Sequence, residues 1–216
     1  MICIKETKGY IFDLDGTLLD SMWVWESLYK EFLQAYNIEY DKSFLTEINH
    51  FTLSECVSYT INKFSLNISH EQALKQWVDL ANHYYQNKVC LKPGAKEFLL
   101  SAKKKNILLG VATALPYDMA KLSLESLHVF NLIHSMTSLD EVNVDKSKPD
   151  IYLKQASKMK LDPSDCVVFE DSHIGIMSAK KAGFTTVGVY DSYSYNDLLK
   201  RKAHKYIKDF TELEIT

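Results

Sequence analysis

The sequence predicts an α/β protein: a three-layer core with a parallel sheet, interrupted by an inserted all-helical cap subdomain. Three observations predict it. A short apolar strand near the start of the chain runs into an acidic, glycine-containing loop. A long aromatic segment with helical spacing follows it, and from residue 94 onward short apolar runs alternate with helical patterns. That alternation is the signature of a parallel sheet covered by helices on both faces. At 216 residues the chain has room for one domain carrying a sizeable insert.

The first strand is Tyr10-Ile11-Phe12, stopped by Asp13-Leu14-Asp15-Gly16-Thr17. From about residue 20 to 90 apolar residues recur at helical spacing, as in Trp25, Leu28, Tyr29, Phe32, Leu33 and Tyr36. Residues 21–90 hold 13 of the chain's 26 aromatics and all three Trp, enough for a small core of their own. The domain boundaries are therefore set at 1–19 with 91–216 for the α/β core and 20–90 for the cap. Asp20-Ser21 is expected to cap the first helix of the insert.

After Lys92-Pro93-Gly94, residues 94–105 read as a helix whose closing Lys run suits the helix dipole. Residues 107–113 then read as a buried strand, 116–128 as a helix and 132–137 as a strand. A helix near 150–160, a strand at 166–171, a helix near 174–182 and a strand at 185–190 continue the rhythm. The stretch 191–204 is expected to be a last helix, leading to a short strand at 204–210.

Composition removes several classes of function. Hydrophobic residues make up 46% and charged residues 25%, which excludes wholesale disorder. A net charge of −3 gives no electrostatic footprint for nucleic acid. No apolar run reaches the roughly 18 residues that span a bilayer, and no signal peptide is read at the start, so a cytoplasmic protein without a membrane partner is expected. Cys3, Cys56, Cys90 and Cys166 form no CxxC pair and the seven His no HExxH, so neither zinc nor redox chemistry is supported.

Chemistry is carried by the strand ends. Asp13 and Asp15 follow the first strand, Thr113 ends the second, and Glu170 with Asp171 end a third. A lone Asp at a strand end is usually a turn former, but several carboxylates on one sheet edge repel one another unless a cation sits among them. Hard oxygen ligands in this number suit Mg²⁺, which shares sites with phosphate. Side chains alternate along an extended chain, so Asp13 and Asp15 point the same way and can divide the labour of attack and proton transfer. Gly16 allows a tight turn, and Thr17 can fasten the loop through its hydroxyl. A D-x-D-x-D-G calcium loop is excluded because its third acid and closing Glu are missing.

These residues resemble the haloacid dehalogenase superfamily of phosphatases and phosphotransferases. FDLDGT is similar to the family's first motif, VATA to its second, and FEDSHIGIMSAKKAG to the fourth motif of the branch with β-phosphoglucomutase and phosphoglycolate phosphatase. The resemblance spans essentially the whole chain, with the 21–90 insert where that branch carries a helical cap, and implies a Rossmann-like core. It implies Asp13 as the nucleophile that forms an aspartyl-phosphate and Asp15 as the acid and base. Asp15's carbonyl, Asp13, Glu170 and Asp171 would bind Mg²⁺, and Thr113 with Ala114 would hold the phosphoryl oxygens. The third motif usually reads G-K-P-x-P-D, against Asp145-Lys146-Ser147-Lys148-Pro149-Asp150 here. Ungapped alignment of the Pro-Asp pair puts the phosphate-binding lysine at Lys146; Lys148, directly before the proline, is the alternative.

Within the family, Asp15 sets aside the dehalogenases, which lack that second acid, and the phosphonate hydrolases, which have Ala there. The rival is a β-phosphoglucomutase-type phosphomutase, whose cap presents an Arg to the distal phosphate. The corresponding stretch here, residues 49–55, has none, and Arg201 is the chain's single Arg. With five Lys against eight Asp and Glu, residues 21–90 would serve a second phosphate poorly. His50 and Phe51 are candidate substrate contacts in that stretch. A receiver-like phosphoacceptor module is the non-enzyme alternative, but such modules carry the acceptor on the third strand and have no cap. The expectation is a Mg²⁺-dependent phosphatase of small phosphate monoesters such as sugar phosphates, with a monomer as the default state.

Overall fold

The structure, a computed structural model, describes residues 2–4, 7–41, 44, 47, 52–142 and 144–215, with the backbone alone for 2–4. The strands are β1 (Ile2–Ile4), β2 (Gly9–Phe12), β3 (Leu19–Asp20), β4 (Cys90–Leu91), β5 (Leu108–Thr113), β6 (Ser135–Ser138), β7 (Cys166–Glu170), β8 (Thr185–Val189), β9 (Lys205–Ile207) and β10 (Leu213–Ile215). The described helices are α1 (Trp23–Ala35), α2 (Leu53–Phe64), α3 (His70–Asn87), α4 (Ala95–Lys104), α5 (Tyr117–Ser126), α6 (Asp150–Lys158), α7 (His173–Lys181) and α8 (Asn196–Lys202). By contacts the chain divides into two compact units, residues 1–21 with 89–216 and residues 22–88.

The first unit is the expected three-layer α/β core. Its six parallel strands run in the order β6-β5-β2-β7-β8-β9. Strand alternation sorts the two faces of the sheet. Ile11, Ala112 and Val168 face one side and pack with Ile151, Tyr152 and Ala156 of α6 and Ala179 of α7. On the other side Tyr10, Phe12 and Phe169 meet Phe98 of α4 and Phe210. Phe12 and Phe169 stack at 4.8 Å, and Tyr10 and Phe98 at 5.2 Å. All five rings are almost fully buried, which makes this aromatic slab a large share of the core's apolar burial.

Sequence position alone puts β2 first, but space puts it in the middle. The chain goes from β2 to β5 and β6 on one side, then returns to β7, β8 and β9 on the other. The strand order therefore reverses beside β2, and a parallel sheet opens a crevice at the C-terminal end of such a point. Asp13 N–H continues the β2–β7 ladder by donating to Phe169 O at 3.0 Å, which fixes Asp13 at the rim of that crevice.

Two local expectations need correction, and one strand pair had not been expected. Ser21 does not cap α1: its hydroxyl donates to Asp15 Oδ1 at 2.6 Å, and the helix N-cap is Met22, which has no side-chain cap. The segment expected as a helix over 191–204 is helical only from Asn196. Before it, the Asp191 carboxylate accepts Tyr193 N–H and its carbonyl accepts the Asn196 amide, folding 190–195 into a loop. An Asp that bonds the backbone ahead of it competes with the helix in this way. Finally β1 and β10 pair in parallel, Ile2 opposite Leu213, in a two-stranded sheet too short to announce itself by periodicity.

The unit of residues 22–88 is helical in its described part. Trp77 of α3 is fully buried, edge-on to Tyr29 of α1 at 4.6 Å and beside Phe32 at 5.5 Å. Both following helices start with reciprocal capping, Thr52 with Glu55 on α2 and Ser69 with Gln72 on α3. Among the described residues no helix is long and apolar enough to cross a membrane.

Candidate active site

The carboxylates predicted at the strand ends meet. Asp13 after β2, Glu170 at the end of β7 and Asp171 just beyond it offer oxygens that all lie within 4.8 Å of one another, and all three residues are buried. Lys146, from the loop before α6, pairs with Asp13 and lies 3.2 Å from Glu170. Lys148, by contrast, is exposed. Thr113 ends β5 on the other side of β2, with its Oγ1 accepting Leu115 N–H at 3.1 Å, and Ala114 follows exposed in the bend.

Asp15 is placed differently. Gly16, at φ 75°, turns the chain so that Gly16 N–H reaches Leu19 O and Leu19 N–H reaches Leu14 O. A side chain would be strained in that left-handed conformation. The turn leaves Asp15 half-buried, accepting from Ser21, and its carboxylate is outside the trio. Two carboxylates of one short motif thus occupy two environments, one among like charges and one beside a hydroxyl. Thr17 does fasten the loop, donating to Asp171 Oδ1 at 3.4 Å. His50 and Phe51 lie outside the described residues.

Three acids and one lysine leave negative charge uncompensated. Burial first, then the Asp13 charge, push the Glu170 carboxyl well above the usual carboxylate range. The same two causes raise Asp171 to about 7, against the opposing Ser194 hydrogen bond. Burial alone would lower the Lys146 ammonium; Asp13 and Glu170 outweigh it and raise its pKa, so Lys146 stays charged. A divalent cation among these oxygens fits the donor set, since its charge would favour the ionised forms of Glu170 and Asp171.

Several partners of these groups were not foreseen from the sequence. The Tyr152 hydroxyl donates to Glu170 Oε1 at 3.2 Å, and Ser194 Oγ donates to Asp171 Oδ2 at 2.5 Å. Gly175 in α7 is required by crowding: a Cβ there would overlap Glu170 Oε1 and sit 2.6 Å from the Tyr152 hydroxyl oxygen. Helix propensity alone would make Gly175→Ala stabilising by about 1 kcal/mol. The crowding reverses the sign, and we expect a loss of about 1–3 kcal/mol in thermal unfolding, with at least tenfold lower kcat/KM as Glu170 is displaced. A more stable Gly175→Ala protein with full activity would contradict this packing.

The comparisons with known proteins agree with the geometry. The sequence profile described as haloacid dehalogenase-like hydrolase matches residues 10–189. The chain is 28% identical over 206 residues to a validoxylamine A 7′-phosphate phosphatase of Streptomyces hygroscopicus subsp. limoneus, covering 95% of each protein. It is 29% identical over 191 residues to a phosphorylated carbohydrates phosphatase of Thermotoga maritima, covering 88% of each. A crystal structure from Thermotoga maritima, described as a candidate β-phosphoglucomutase, superposes with a TM-score of 0.83 at 27% identity over 93% of this chain and 94% of that one. The chain belongs to the haloacid dehalogenase-like hydrolase family, in its β-phosphoglucomutase and phosphoglycolate phosphatase-like branch.

Proposed function

We propose that the protein is a Mg²⁺-dependent phosphatase that hydrolyses small organic phosphate monoesters, sugar phosphates foremost, through an aspartyl-phosphate. The observation that carries this reading is the buried trio of Asp13, Glu170 and Asp171 with Lys146 beside it. The two phosphatase relatives, one of them named for phosphorylated carbohydrates, support the substrate class.

In this reading an Asp13 carboxylate oxygen attacks phosphorus, and the bond from phosphorus to the ester oxygen breaks. Asp15, oriented by the Ser21 hydroxyl, donates its proton to the departing alkoxide. Asp15 then takes a proton from water as that water attacks the phosphorus, which releases inorganic phosphate and regenerates Asp13. Lys146 and the Thr113 hydroxyl hold phosphoryl oxygens, joined by the backbone N–H of Ala114. Asp13, Glu170, Asp171 and the Asp15 carbonyl would hold Mg²⁺, which when bound neutralises phosphoryl charge facing the nucleophile. His50 and Phe51 are assigned to substrate contact, and the protein to the cytoplasm as a monomer.

Hydrolysis is favoured over mutase chemistry because residues 22–88 contain no Arg to bind a second phosphate. The test is phosphate release from a panel of sugar and metabolite phosphates, with Mg²⁺ and then with EDTA. The panel includes β-glucose 1-phosphate with a trace of glucose 1,6-bisphosphate. We expect release that EDTA abolishes and Mg²⁺ restores. Glucose 6-phosphate forming without phosphate release would instead make the protein a mutase, and release indifferent to EDTA would remove the metal from the reading.

A further inference from the structure

A buried ion pair that the proposed chemistry does not use stands behind one of its acids. Lys92 Nζ lies 2.7 Å from Asp191 Oδ2 and 3.1 Å from Tyr190 O, with the two side chains only 10% and 3% exposed. Burying such a pair is costly, and a well-packed apolar pair of the same size would usually serve stability as well. Its partners suggest what it does instead. The other oxygen of Asp191 accepts Tyr193 N–H at 2.9 Å, and the Asp191 carbonyl accepts Ser194 N–H at 3.2 Å and the Asn196 amide at 2.7 Å. The loop from 190 to 196 is thereby wound around Asp191, and Ser194 is presented to Asp171 Oδ2 at 2.5 Å.

Lys92 is itself anchored to the turn that carries the first two acids, since Lys92 N–H donates to Leu18 O at 2.9 Å. A single connected path therefore runs from that turn through Lys92, Asp191 and Ser194 to Asp171. Thr17 reaches the other oxygen of Asp171 from the same turn. Both oxygens of Asp171 are thus gripped, one from each direction.

We propose that Ser194 is a positioning residue for Asp171, held in place by the Lys92–Asp191 pair, and that the assembly sets the direction in which Asp171 presents an oxygen to a divalent cation. This rests on the reading of Asp13, Glu170 and Asp171 as metal ligands. Hydrogen bonds that orient a ligating carboxylate are worth about 10–100-fold in metal affinity when removed.

The test is direct titration with Mn²⁺, an ion suited to oxygen ligands, followed by the loss of the free-ion electron paramagnetic resonance signal. The wild-type protein is measured first, then Ser194→Ala, Ser194→Thr, Lys92→Met and Lys92→Arg, each with its metal-free melting temperature. We expect one tight Mn²⁺ per wild-type chain and a Kd raised about 10–100-fold in Ser194→Ala. Ser194→Thr, which keeps the hydroxyl, should return to within a few-fold of wild type. Lys92→Met should weaken binding like Ser194→Ala and Lys92→Arg should restore it; if Lys92→Met does not fold, the Ser194 pair of variants decides alone.

Wild type that binds no Mn²⁺ would overturn the metal reading, and this inference with it. Wild type that binds while Ser194→Ala binds equally well would overturn the inference and leave the metal reading standing. A weakened Ser194→Ala that Ser194→Thr fails to restore would also overturn it, because the hydroxyl would then not be what matters.

Discussion

Asp13→Asn is expected to release no phosphate above background, a loss of about 10⁴-fold or more, while remaining folded. The amide keeps the shape of the carboxylate but is a far weaker nucleophile. It removes the Asp13 charge that raises Glu170 and Asp171, while Lys146 loses one partner but keeps Glu170 at 3.2 Å, so with the two effects opposed the metal-free protein should melt close to wild type. That pairing of outcomes separates a lost nucleophile from a damaged fold. Phosphate release and thermal unfolding on one preparation check it, and activity above about a hundredth of wild type would remove Asp13 from the nucleophile's role.

Lys146→Met should, by contrast, lower stability. The ammonium bridges Asp13 and Glu170 with its side chain 14% exposed, and without it the three carboxylates face one another with no cation. Removing one partner of a buried pair typically costs about 3–5 kcal/mol, and we expect a loss toward the lower end in the metal-free protein. Added Mg²⁺ should recover part of it by taking over the neutralisation. Activity should fall about 10²–10³-fold, the usual cost of deleting one charge-stabilising group from a transition state. Lys148→Met, a change at an exposed position, should leave both properties within about twofold of wild type, as surface substitutions generally do. A Lys148 variant worse than the Lys146 variant would reverse the assignment of the phosphate-binding lysine.

How far the sequence reached follows from where each signal lies. The core strands were legible because each is an apolar run that ends abruptly: Tyr10-Ile11-Phe12 at Asp13, Val111-Ala112 at Thr113, Val168-Phe169 at Glu170. A parallel sheet aligns those ends, so the meeting of Asp13, Glu170 and Asp171 follows from the fold class together with the motif. The environment of each acid was another matter. Tyr152 lies in the first turn of α6, with nothing local to mark its hydroxyl as a partner of Glu170. Ser194 sits in a Ser- and Tyr-rich stretch that reads as the start of a helix, and only the winding of the loop about Asp191 brings it to Asp171. Lys92 marks only a boundary in the sequence, before Pro93-Gly94, yet it is buried against Asp191, far along the chain. Long-range polar pairing has no periodicity, and that is what periodic reading misses.

The placement of β2 has a consequence for how the molecule is made. Of the six-stranded sheet this strand emerges first from synthesis, but its ladder partners come much later: Gly9 pairs with Leu108 on one side and with Cys166 on the other. Until then Tyr10-Ile11-Phe12 is a naked apolar strand, the sort of segment that associates with other chains while it waits. The intervening helices, rich in near-neighbour contacts, condense faster than a sheet with such distant pairings. Their condensation, sealed where Leu19 meets Leu91 and Asp20 meets Cys90, draws the two edges of the interruption together. The path between β2 and β5 then runs only through residues 13–19 and 91–107 rather than through the whole of 13–107, and closing it costs correspondingly less entropy. The interruption thus serves the nascent chain as a scaffold that shortens the vulnerable interval before the sheet's centre is covered.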